Sequence, residues 1–198
     1  MKNLNEQRVD FIKQLVPLVC AEGWLERVMY DVSEELWNDR IYYKTLFSDI
    51  EEIVQYFECS EDERMLKKIG NKKEGESTTA YIGSMLKYRI KEISGGKEML
   101  IRLKEFYLAL KHISDGPKAV WNTSDVIWRA AGDKSTDMNY YSKRFLLSSV
   151  YTMSIRHYVD DRTDIDGYID NSLNKVVSCA KYLKLPKLED IPILRMFS

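Results

Sequence analysis

His112 and His157 are the only histidines in this 198-residue chain, and neither has a neighbouring ligand at metal-binding spacing. No HExxH, GxGxxG or phosphate-binding loop occurs. Asp160, Asp161, Asp164 and Asp166 crowd together as in a calcium loop, but the required glycine and closing glutamate are misplaced. A helix-to-helix turn with N-caps accounts for these aspartates. No serine or cysteine nucleophile has a plausible catalytic base nearby in sequence. We therefore expect no catalytic residue, no metal and no cofactor. Recognition chemistry is concentrated instead in residues 128–144, WRAAGDKSTDMNYYSKR, which mix aromatic, polar and charged side chains at a helix junction. Tyr140 and Tyr141 are adjacent on a first helical turn, so their side chains leave the helix about 100° apart. Both rings are not expected to bury against one surface, which suggests a recognition face.

Helices must position this run. Gly132 suits the C-terminal cap of a helix entered near Pro117, and a second helix is expected over 137–159. Phe145, Leu146, Leu147, Val150, Tyr151, Met153 and Ile155 surround most of that helix, which is expected in a core or along a cavity. Apolar periodicity predicts earlier helices over 9–20, where Pro17 should kink or end the helix, and over 25–37 and 40–46. Another should follow an N-cap at Ser48. Residues 61–76 read partly as a polar loop, followed by helices over 77–93 and 96–112. Asp164 should cap a last helix carrying Ile169, Leu173, Val176, Val177 and Ala180.

The composition suits an all-α protein, with 44% hydrophobic and 31% charged residues and only four prolines and nine glycines. Thirty basic and 31 acidic side chains balance to −1, so no global charge draws the chain to nucleic acid or an acidic membrane. Three widely spaced cysteines without a CxxC fit free thiols in a reducing compartment. With neither a secretory signal nor an apolar run of membrane-spanning length, the expected location is cytoplasmic.

The string IYYKTLFSDIEEIVQYF, residues 41–57, and the turn at Gly23 resemble the head of TetR-type regulators. The implied fold is a three-helix, helix-turn-helix-type head over 1–58, followed over 59–198 by a larger helical domain for ligand binding and dimerisation. A ligand-responsive TetR-type repressor is then one reading. Charge opposes it, because residues 1–59 hold six basic and twelve acidic side chains, a balance of −6. DNA affinity rests on phosphate neutralisation and requires the opposite sign. We expect no nucleic-acid partner.

The Ala131-Gly-Asp-x-Ser-Thr-Asp137 segment, followed by Asn139, Tyr141, Lys143 and Arg144, closely resembles the signature of the Coq-nine family of ubiquinone-biosynthesis proteins. The likeness extends from Gly23-Trp24 through Ile127-Trp128 to Val150-Tyr151. Met138 and Tyr140 depart from it, standing where the family carries Phe and Trp. The resemblance implies a non-catalytic homodimer that binds isoprenoid quinones or other lipids. It would present them to the di-iron demethoxyubiquinone hydroxylase. Phe106, Leu110, Phe145, Val150 and Tyr151 would line the lipid cavity, while Trp128, Asp137, Asn139, Tyr140, Tyr141 and Arg144 would face the hydroxylase. The last two helices would form the dimer bundle, and peripheral contact with the inner membrane is implied.

Overall fold

The computed structural model describes residues 3–182, with side chains described to residue 178. Cys179 and the proline-containing tail therefore lie outside the described side chains. Among the described residues there is no strand. The α-helices are α1 Leu4–Glu22, α2 Glu26–Trp37, α3 Ile50–Ile69, α4 Thr78–Lys91, α5 Gly96–Leu108, α6 Asp115–Ala130, α7 Met138–Val159 and α8 Ile165–Tyr182. Short 3-10 turns occupy Tyr42–Thr45 and Leu110–His112. No described helix is long and apolar enough to cross a membrane.

Contacts divide the chain into two compact units, Met1–Lys68 with Tyr88–Ala119, and Ile69–Lys87 with Val120–Ser198. The expected boundary at 58/59 instead falls inside the continuous helix α3. In the first unit, α1 starts at a reciprocal cap in which the Glu6 N–H donates to Asn3 Oδ1 at 2.8 Å and the Asn3 N–H to Glu6 Oε2 at 3.0 Å. It continues through Pro17 to Glu22 rather than ending early. Buried Phe11, Leu15 and Val19 on both sides of the proline hold the helix where one backbone bond is lost. Phe11 stacks between Trp37 and Tyr43, at centroid distances of 5.9 and 5.8 Å, and meets Phe47 at 5.8 Å.

The helix expected over 40–46 is only the 3-10 turn Tyr42–Thr45. Asn38 ends α2 with φ 54°, and the Ser33 hydroxyl donates to the Asp39 carbonyl while accepting from the Tyr43 N–H. Those bonds fold the segment back before a full helical turn can propagate. Asp49, rather than Ser48, then caps α3 by accepting from the Glu52 N–H at 2.8 Å. Of residues 61–76, expected to be loop in part, the loop is 70–76, and 61–69 continues α3, where its charges find buried partners. Arg89 donates to Asp62 at 2.7 Å, while Glu61 accepts from both the Ser94 N–H and its hydroxyl. Gly95, with φ 81°, brings the entry of α5 so close to α1 that a Cβ would lie 2.5 Å from Cys20 Sγ.

In the second unit, Tyr81, Ile82, Met85, Ile127, Leu147, Val150, Tyr151, Ile169 and Leu173 are buried. Asp164 accepts from the Gly167 N–H at 2.9 Å, as expected of a cap, and α8 packs on α7. Lys87 reaches Asp170 at 2.7 Å. The expectation that α7 is enclosed all round requires correction. Met138, Tyr141, Phe145 and Met153 are 53, 57, 65 and 50% exposed. At 100° per residue these four share roughly a third of the helix circumference, so α7 has a covered side and an uncovered apolar stripe.

Candidate functional site

The second unit builds its site where α6 ends and α7 begins. Gly132, with φ 87°, lets the Asp133 N–H return to the Trp128 carbonyl and its own N–H to that of Arg129, both at 3.0 Å. This paired closure terminates α6 and turns Asp133 inward. Asp137 opens α7 by accepting from the Asn139 N–H at 2.9 Å. The connecting loop is thereby fixed at both ends by its own chemistry.

Arg144 lies at the centre, with its side chain 1% exposed. It donates through Nε to Asp125 at 2.5 Å, and through Nη1 to Asp133 at 2.9 Å and to the Tyr140 carbonyl at 3.1 Å. Its guanidinium lies 3.5 Å from the Tyr140 ring centroid, and the Tyr140 hydroxyl donates to Asp125 at 3.1 Å. Lys143 donates to Asp133 at 2.6 Å, and its carbonyl accepts from the Trp128 indole at 3.0 Å. Burial alone would raise the Asp133 carboxyl, but hydrogen bonds from Lys143, Arg144 and Ser135 outweigh it and hold the group well below the ordinary range. Asp125 shows the same balance, with burial outweighed by Arg144, Tyr140 and Arg129. Both carboxylates stay ionised and engaged by several donors, so the cluster ties α6, its loop and α7 together.

The six residues expected to face a partner therefore separate. Asp137, Asn139 and Tyr141 are exposed, whereas Tyr140 and Trp128 are half-buried. Arg144 is corrected from a surface contact to an internal brace, because two carboxylates draw its charge inward. Tyr140 and Tyr141 do meet, edge to face at 5.1 Å, and Trp121 approaches both at 6.4 and 6.3 Å. Trp121 and Asp125 were not singled out in the sequence. Their signal was the i, i+4, i+7 spacing of Trp121, Asp125 and Trp128 on one face of α6. The exposed α7 stripe begins beside this aromatic group with Met138, Tyr141 and Phe145.

The expected lipid residues are distributed differently. Phe106 and Leu110 belong to the first unit, and Phe145, Val150 and Tyr151 to the second. Val150 and Tyr151 are buried at 5 and 3%, while Phe145 and Leu110 are exposed at 65 and 89%. Phe145 leaves α7 roughly 120–140° away from Val150 and Tyr151, which explains why one helix offers them different surroundings. Phe106 stacks on His112 at 4.0 Å and lines a pocket of about 460 Å³ in the first unit. Trp24, Lys44, Glu51 and Arg102 also line that pocket, whereas the other four expected lipid residues do not.

Comparison with known proteins defines first a class. A TetR transcriptional regulator from Nitrosomonas europaea has a similar fold, with a TM-score of 0.66 over 90% of this chain and 99% of that one, at 16% identity. The protein is all-α with a TetR-like fold. Within that class, residues 113–180 match the COQ9 family model, a segment that contains the whole α6–α7 junction. The chain is also similar to the protein "Ubiquinone biosynthesis protein COQ9, mitochondrial" of Rattus norvegicus, with 22% identity over 182 residues and 85% of this chain. The human protein of the same description is 21% identical over an equal share. The chain spans 58 and 57% of the length of these two relatives. Together these matches relate the chain to the COQ9 family.

Proposed function

We propose that this protein is a non-catalytic accessory factor of ubiquinone biosynthesis, which binds an isoprenoid quinone intermediate and presents it to the demethoxyubiquinone hydroxylase. The relatives' description supports the pathway. The observation that carries docking is the uncovered stripe of Met138, Tyr141 and Phe145 on α7, held beside Trp121 and Tyr140 by a fully paired charge cluster. Aromatic and methionine side chains on a rigid support suit the buried centre of a protein interface. The four exposed residues of the stripe also continue along α7 away from the junction, which gives a partner an extended apolar face to cover.

The head supports a role without DNA. Its acidic balance opposes phosphate contact, and a four-residue 3-10 turn stands where a recognition helix would enter the major groove. The direct test measures binding of the purified chain to the hydroxylase, with lipid extraction from the same preparation. Tyr141→Ala with Phe145→Ala should weaken binding at least about tenfold while helix content stays unchanged. Unaltered affinity would remove the docking face, and repeated absence of both co-purified lipid and added-quinone binding would remove the carrier role.

A further inference from the structure

Among the described residues, the most exposed large apolar side chain is not on α7. Leu110 is 89% exposed and stands between Leu108 at 65% and Ile113 at 57%, where α5 gives way to a 3-10 turn. All three belong to the first unit. Both polar side chains of this turn are tied to Glu51, His112 from a mostly covered position and Lys111 from an exposed one. The His112 ring stacks on Phe106 at 4.0 Å, and its Nδ1 lies 3.5 Å from Glu51 Oε1. Lys111 reaches the same carboxylate at 2.7 Å. The turn is thus braced by its polar groups while its aliphatic side chains stand towards solvent.

We propose that the Leu108–Ile113 turn is a wedge that enters the interfacial region of a lipid bilayer. Size favours lipid over protein as its occupant. Three aliphatic side chains expose on the order of 400 Å², whereas a stable protein interface requires about 800 Å² from each partner. A bilayer interface accepts a small aliphatic insertion with no matching surface. Charge favours the same occupant. Glu51, Glu105 and Asp115 around the turn are ion-paired with Lys111, Arg102 and Lys118, so none faces an anionic headgroup as a bare charge. Lys104 adds an exposed cation on the last turns of α5. This surface differs in composition from the α7 stripe, which contributes a tyrosine, a phenylalanine and two methionines. The inference is independent of lipid carriage and of hydroxylase docking.

The test is flotation of the full chain with vesicles of phosphatidylcholine and phosphatidylglycerol. Leu108→Ser with Leu110→Glu should reduce the vesicle-bound fraction at least about tenfold. Folding should be spared because both side chains already face water. Tyr141→Ala should leave flotation unchanged. Leu110→Trp should gain fluorescence quenching by brominated lipid beyond that of the unaltered chain, which separates insertion from adsorption. Failure of the unaltered chain to float, undiminished flotation of the double variant, or no added quenching would each overturn the wedge. Hydroxylase affinity measured without vesicles reports separately on α7, so failure of one reading is distinguishable from failure of the other.

Discussion

Arg89 and Arg144 are each 1% exposed, each faces two carboxylates, and their surroundings titrate in opposite directions. In the first unit, Arg89 holds Asp62 at 2.7 Å but stands 3.8 Å from Glu58. Burial pushes the Glu58 carboxyl up, and the nearby Asp62 charge adds to the rise despite Arg89 and the Tyr107 hydroxyl that donates to it. In the second unit, Arg144 makes close bonds to both Asp125 and Asp133, with Lys143 adding another cation. There the donors prevail over burial, and both carboxyls fall. Desolvation prevails at Glu58, the more deeply enclosed carboxyl, whose nearest cation is loosely placed, whereas pairing prevails at Asp125 and Asp133, where several donors converge.

Removing the arginines should give the largest contrast. Arg144→Met should cost about 3–5 kcal/mol, because it leaves two ionised carboxylates without their buried partner. Arg89→Met should cost less, about 1–3 kcal/mol, since Glu58 is already disposed to accept a proton. Urea unfolding of both variants near neutral pH decides this, and equal losses would break the distinction.

The pH profiles should differ in sign. Asp125 and Asp133 titrate below their ordinary 3.8 in the folded chain, so their contribution is present above that value and is lost as pH falls through the folded values. Glu58 titrates above its ordinary 4.5, so folding favours its protonated form and stability declines as pH rises through that window. Urea midpoints from about pH 3 to 8 should show Asp133→Asn flattening the acid limb and Glu58→Gln flattening the decline above it. A shared response would remove the contrast between the clusters.

The smallest effect concerns the edge of the junction. Asp137→Ala should cost about 1 kcal/mol through the lost α7 cap. Thermal melting checks this, while hydroxylase affinity shows whether the exposed carboxylate contributes anything beyond capping.

Much of this arrangement was legible before folding. The cap at Asp164 and the closure at Gly132 follow from local backbone chemistry, and each operates as expected. The junction was visible because aromatic and charged residues cluster within 17 positions. Arg144 was misplaced because its partners lie 19 and 11 residues earlier on α6 and its loop, beyond the reach of helical spacing. Where the loop within 61–76 begins was hidden for a similar reason. Glu61 and Asp62 look solvated until Ser94 and Arg89 arrive from distant sequence.

The sequence by itself determined an all-helical chain, an acidic head and the junction's position, because periodicity, net charge and capping act over a few residues. Only the tertiary structure decided which charges are buried, that the segment after α2 closes as a 3-10 turn, and that Phe145 and Leu110 face outward. Those outcomes depend on side chains far apart in sequence competing for the same neighbours. Burial and pairing become definite only when the helices pack.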